Sequence, residues 1–182
     1  MIPSDDIAGI IELWHDAFGD EPEFVEDYMH RFATPDNYIF ERDERHKPLA
    51  MVHFPIFRSQ SGLSVAYLYA LAVATGHRGN GVAVKVVNRL FGCCGADVVV
   101  TIPFPHSLQP WYASRFGFAL ASKPVSVLAN LDFDLGSGIP SDDVFMVKVL
   151  RADRYRQACI SQYGIAPECN DDELYQKFPV SL

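Results

Sequence analysis

The stretch Leu71-Ala72-Val73-Ala74-Thr75-Gly76-His77-Arg78-Gly79-Asn80-Gly81-Val82-Ala83 reads as a strand, a glycine-bearing turn and the start of a helix. Such a turn lets successive backbone N–H groups converge, and the following helix adds its positive end, so the product is an anion site. Gly79 and Gly81 allow a bulky phosphate to approach the main chain without meeting a Cβ. Spacing separates the phosphate readings. A Walker loop fits Gly76 to Gly81 but requires Lys and then Ser or Thr, where the chain has Val82 and Ala83. A dinucleotide fingerprint requires glycine where Val84 stands and an acid ending the next strand, whereas Asp97 begins that strand.

Upstream, the first 33 residues predict two helices. Ser4 is the expected N-cap, and Asp5 and Asp6 sit where the helix dipole favours negative charge. Ile7, Ile10, Ile11, Trp14 and Phe18 form one apolar stripe that should end near Gly19. Pro22 suits a second start, and Phe24, Val25, Tyr28, Met29 and Phe32 continue the helical spacing. Residues 38–41, 49–57 and 63–73 then read as strands joined by short polar or Gly-containing connections, the pattern of antiparallel hairpins.

Downstream, residues 82–91 predict a helix despite four valines, because Lys85, Asn88 and Arg89 share one stripe. Residues 98–102 are nearly all apolar, as in a strand buried on both faces beside a parallel neighbour, which completes a βαβ unit with 63–73. Pro110 opens a short helix over 111–115, and Gly117 releases the chain into strands at 118–121 and 125–131. Residues 132–143 read as loop, 144–150 as strand and 151–163 as helix.

Bulk properties narrow the classes. With 182 residues and 49% hydrophobic composition, the chain suits one well-buried core. A net charge of -8 and a pI near 5.1 argue against nucleic acid, whose binders concentrate Lys and Arg on one face. The apolar part of the run at 63–74 is shorter than the roughly 20 residues a bilayer span needs, so no membrane partner is expected. An N-terminus carrying Asp5 and Asp6 does not resemble a signal peptide, which points to the cytoplasm. Cys93, Cys94, Cys159 and Cys169 have neither disulfide-scaffold density nor C-x-x-C spacing, so reduced thiols and no metal are expected.

Arg78, Gly81 and Ala83 satisfy the pattern Arg/Gln-x-x-Gly-x-Gly/Ala directly after a strand, and about thirty residues later come Tyr112-Ala113-Ser114-Arg115-Phe116-Gly117-Phe118. Together they resemble the pyrophosphate motif and the Tyr-x-x-x-Gly-Phe segment of the GNAT N-acetyltransferases. The resemblance covers roughly residues 50–121 closely. It implies an α+β fold with a central mixed, mostly antiparallel sheet, a parallel splayed pair and flanking helices. Residues 1–131 would form the acetyltransferase domain, with 132–182 a C-terminal extension packed on it.

It also implies acetyl-coenzyme A as acyl donor. The pyrophosphate would be held by backbone N–H groups from Arg78 through Gly79, Asn80, Gly81, Val82 and Ala83, and the pantetheine arm would pair with the main chain of Leu71 and Val73. The acceptor would be a primary amine, of a small molecule or a peptide N-terminus, and the protein a monomer or homodimer. Tyr112 is the candidate general acid, since a phenol of pKa about 10 can protonate a departing thiolate.

Two departures from the family pattern matter. Ala70 stands where many relatives carry Glu, which leaves His53, Glu26 or a water chain as candidate bases. The loop Pro103-Phe104-Pro105-His106 lacks the Asn that many relatives use on the cofactor, with His106 or Ser107 as substitutes. The missing acid keeps open a non-catalytic acyl-coenzyme A sensor as the alternative. Asp16, Asp20, Glu21, Glu23, Glu26 and Asp27 lie together without Lys or Arg, either a solvated helix face or a rim that steers a cationic amine.

Overall fold

The computed structural model describes residues 3–121, 145–180 and 182. The expected strand at 125–131 and loop at 132–143 lie outside them. By its internal contacts the chain divides into two compact units, Met1–Pro55 with Leu68–Cys94, and Ile56–Tyr67 with Gly95–Leu182. The architecture is α+β, with a mixed sheet that includes a parallel pair, and helices flanking.

In the first unit, α1 (Ser4–Phe18) and α2 (Pro22–Phe32) form as their spacing predicts, but Phe18 and Phe24 of the expected stripes are exposed and Leu13 takes a buried place instead. Ile7, Ile10, Leu13 and Trp14 of α1 and Val25, Tyr28 and Met29 of α2 are buried. Ser4 is the first helical residue rather than the cap. Pro3 precedes it, and no side chain caps the helix. Gly19 ends α1 at φ 78°, a left-handed position that costs glycine little. Strands β1 (Tyr38–Arg42), β2 (Pro48–His53) and β5 (Ala70–Val73) form an antiparallel sheet in the order β1-β2-β5. Helix α3 (Val82–Cys93) buries Val86, Val87 and Leu90. Its polar stripe meets β1, where Glu41 accepts from Lys85 (3.1 Å) and Arg89 (2.5 Å).

The second unit holds a five-stranded sheet in the order β3-β4-β6-β8-β7, from β3 (Ile56–Arg58), β4 (Ser64–Leu68), β6 (Val98–Thr101), β7 (Ala119–Leu120) and β8 (Met146–Val149). Since β3–β4, β6–β8 and β7–β8 are antiparallel, the remaining pair, β4 with β6, is the parallel one. All four residues of β6 are buried, as its apolar run predicts. Asp97, itself buried, accepts from the Ser64 N–H (2.9 Å) through its carboxylate, and its carbonyl accepts from Leu150 and Arg151 N–H. Helices α4 (Gln109–Phe116), α5 (Ala152–Tyr163) and α6 (Leu174–Lys177) complete the unit.

Two expected strands each prove to be two. The run 49–57 is β2 followed by β3, and 63–73 is β4 followed by β5, with the members in different sheets. Pro55 has no N–H to continue a ladder, which ends β2. At Tyr69 the N–H bonds the His53 carbonyl (3.0 Å), one residue out of step with the Ala70–His53 register that follows.

Candidate functional site

The first unit carries the glycine turn between β5 and α3. Ladder parity decides what β5 offers. The Ala74 N–H bonds the Leu49 carbonyl (3.0 Å), so with antiparallel alternation Ala74, Ala72 and Ala70 turn their backbone groups toward β2. Leu71 and Val73 therefore present theirs at the opposite edge, and β5 is the edge strand of its sheet. The Val73 carbonyl is met there by Arg78 Nε (2.9 Å).

After a single 3-10 turn at Thr75–His77, Gly79 and Gly81 both adopt positive φ, 81° and 77°. A Cβ built at either would meet no heavy atom within 4 Å, so the backbone lies open to an approaching group. Gly81 is the N-cap of α3 and no side chain caps that helix. The first N–H groups of a helix have no intrahelical acceptor, and no side chain supplies one to those of Val82 and Ala83. Arg78 is anchored twice, by Nε on Val73 and by Nη2 on Asp16 Oδ2 (2.8 Å).

The same unit contains an aromatic cluster. Tyr28 and Tyr69 stack with centroids 5.2 Å apart, Trp14 lies 5.4 Å from Tyr28 and 5.8 Å from Tyr69, and His53 stands edge-on to both tyrosines. Trp14 Nε1 donates to Asp20 Oδ2 (2.7 Å). Burial, and then the Asp20 charge, raise the Tyr69 phenol above its ordinary value. His53 is fully buried and Nδ1 lies 3.0 Å from the Asn37 carbonyl. A carbonyl only accepts, so Nδ1 carries the proton and Nε2 is the bare nitrogen, without a hydrogen-bond partner among the described residues. Burial pushes this imidazole down to about 4 against the weaker opposing effect of the Asn37 bond. It has no exposed surface. Ala70 is buried beside it in the ladder.

Four of the six acids from Asp16 to Asp27 have specific partners. Glu26 faces His30 (3.8 Å), Asp27 faces Arg31 (3.1 Å), Asp20 holds Trp14 and Asp16 holds Arg78. Sequence reasoning saw the charge but not Asp16 as an individual, since its partner Arg78 lies 62 positions away.

In the second unit, Tyr112 lies on α4, buried among Trp111, Phe116 and Phe118. Burial pushes its phenol up to about 12, opposed by a hydrogen bond with Thr101 at the end of β6. The group is protonated at any physiological pH. His106 and Ser107 are exposed in the 3-10 turn His106–Leu108. Among the described residues no His, Cys, Asp and Glu group could hold a metal ion, and no helix is long and apolar enough to cross a membrane.

A strand with one open edge, a glycine turn and an uncapped helix, in an α+β fold, are the parts that the resemblance to an acetyltransferase implies. The chain belongs to the GNAT acetyltransferase family, whose model matches residues 7–118, more than half of its length. Among solved structures it is similar to the GNAT family N-acetyltransferase YhbS of Escherichia coli in complex with CoA, with TM-score 0.61, 23% identity, and 99% of this chain and 91% of that one covered. It is similar also to a Corynebacterium glutamicum protein described as histone acetyltransferase HPA2 and related acetyltransferase (TM-score 0.59, 17% identity, 81% and 93% covered). A third is Arabidopsis thaliana Naa50 in complex with the bisubstrate analogue CoA-Ac-MVNAL (TM-score 0.58, 14% identity, 81% and 94% covered). No curated protein matches the chain in sequence.

Proposed function

We propose that the chain is an N-acetyltransferase that moves an acetyl group from acetyl-coenzyme A to a primary amine by direct attack. The observation that carries this reading is the open edge of β5, with Leu71 and Val73 offering backbone groups beside a loop whose N–H groups suit a pyrophosphate. Two of the structural relatives were solved with coenzyme A or an analogue containing it, which supports the same donor here. The pantetheine arm adds to β5 as a further strand would, through main-chain bonds that do not depend on side-chain identity. Gly79 and Gly81 keep Cβ atoms away from the phosphates.

Bound acetyl-coenzyme A supplies the thioester carbonyl that the amine attacks and the thiolate that departs. Tyr112 donates its phenolic proton to that sulfur. A value near 12 keeps the phenol protonated and brings it no closer to neutral pH, so its contribution depends on placement rather than on a tuned acidity. His53, neutral and enclosed, does not serve as the base in this reading. The acceptor gives up its ammonium proton to water and reacts as the free amine; the N–H proton released after attack also passes to water, from which Tyr112 regains its own.

Incubation with acetyl-coenzyme A and a panel of amines and peptides, followed by free thiol, tests this. Turnover with at least one amine is expected. Tyr112→Phe should lower kcat by about 100-fold or more while coenzyme A binding is unchanged, the range general acids contribute. Binding of acetyl-coenzyme A without turnover on any acceptor would favour the sensor, which the absence of an acid at Ala70 keeps as the second reading.

A further inference from the structure

We propose that Asp16 is a positioning residue of the pyrophosphate site, one that sets coenzyme A affinity by holding the Arg78 guanidinium in competition with the phosphates. The inference rests on the coenzyme A reading above. Asp16 lies in the last turn of α1, and its Oδ2 accepts both from Arg78 Nη2 (2.8 Å) and from Thr75 Oγ1 (2.8 Å). The other side of the same guanidinium, Nε, is bonded to the Val73 carbonyl (2.9 Å).

Arg78 is thus shared between a carboxylate and a strand-edge acceptor, and both are rivals for what a coenzyme needs. A phosphate oxygen seeks the guanidinium that Asp16 neutralises, and an arm amide seeks the carbonyl that Nε covers. A fixed carboxylate 2.8 Å from the cation of an anion site cancels much of its attraction for a second anion. Both side chains are close to half exposed, 48% and 47%, so the pair is worth little to the fold and breaks without unfolding it. Cofactor entry then exchanges Asp16 for pyrophosphate at Nη2. The residue lies on the first helix, far from the loop in sequence, so binding at the loop releases a bond that ties the helix to it.

Calorimetric titration with coenzyme A of the unaltered chain, Asp16→Asn, Arg78→Ala and the double variant tests the exchange. Asp16→Asn should tighten binding about two- to five-fold, the scale of an exposed ion pair. Asp16→Ser, which also removes the charge, should give the same gain and guards against an altered fit of the amide. In the Arg78→Ala background the gain should vanish, since the rivalry is for that guanidinium. Unchanged or weaker binding in both Asp16 variants overturns the proposal, as does an equal gain with Arg78 absent. Failure of the unaltered chain to bind coenzyme A would instead remove the cofactor reading itself, and this inference with it.

Discussion

His53 shows how one buried side chain marks both stability and mechanism. Its imidazole is pushed down to about 4 by burial, whereas in the unfolded chain it titrates near 6.5. Above pH 6.5 neither state binds the proton and stability is full. Between 6.5 and 4 the unfolded chain takes it up and the folded one does not, so stability falls as pH drops and levels below about 4. The loss is on the order of 3 kcal/mol for a group with no exposed surface. Urea unfolding at stepped pH should show this slope, and His53→Asn should flatten it, whatever the variant's absolute stability. On the proposed reaction, the same substitution should leave the pH profile of kcat/KM unchanged, with no inflection near 4 to lose. A base lost at His53 would instead cut the rate.

At the scale of elements, the turn between β5 and α3 is specified by two glycines that differ from a third. Gly81 sits at φ 77° with open space where a Cβ would go, so Gly81→Ala pays only left-handed backbone strain, about 1–2 kcal/mol, in the fold. Gly76 also has open space and no positive φ, so Gly76→Ala should be nearly neutral. Thermal melts compare the two, and coenzyme A titration should separate them further, with Gly81→Ala binding at least ten-fold more weakly because the added methyl and the shifted backbone stand where phosphate approaches. This turn was legible in the sequence because Arg78, Gly81 and Ala83 form a local pattern. So were α1, α2 and α3, whose faces repeat every 3.6 residues. The switches at Pro55 and Tyr69 were not, because residues 49–57 and 63–73 are continuous β-prone runs and which sheet each half joins depends on partners distant in sequence. Likewise the protonation of His53 and the pairing of Asp16 depend on tertiary neighbours, Asn37 and Arg78, that spacing alone does not identify.

For the molecule as a whole, the segment after residue 144 supplies a strand of the second unit: β8 occupies a position between β6 and β7. The end of the chain is fastened by Tyr155. Its hydroxyl donates to the Phe178 carbonyl (3.0 Å) and accepts from the Val180 N–H (3.1 Å), while Tyr163 donates to the Pro179 carbonyl. Val180 and Leu182 are buried, so the tail docks apolar side chains as well as polar groups. Burial raises the Tyr155 phenol well above its ordinary range, so its proton stays available to Phe178 at all working pH values. Tyr155→Phe keeps the ring and removes the hydroxyl, leaving the buried Val180 N–H without its acceptor. A cost of about 1–3 kcal/mol is expected, the penalty for an unsatisfied buried group. Removing residues 178–182 deletes both partners of that hydroxyl, so the two changes should be strongly non-additive in urea unfolding. In the truncated chain Tyr155→Phe should cost less than half of what it costs in the full one. Additive costs would mean that Tyr155 stabilises the unit by packing alone and that the tail is held by its apolar side chains.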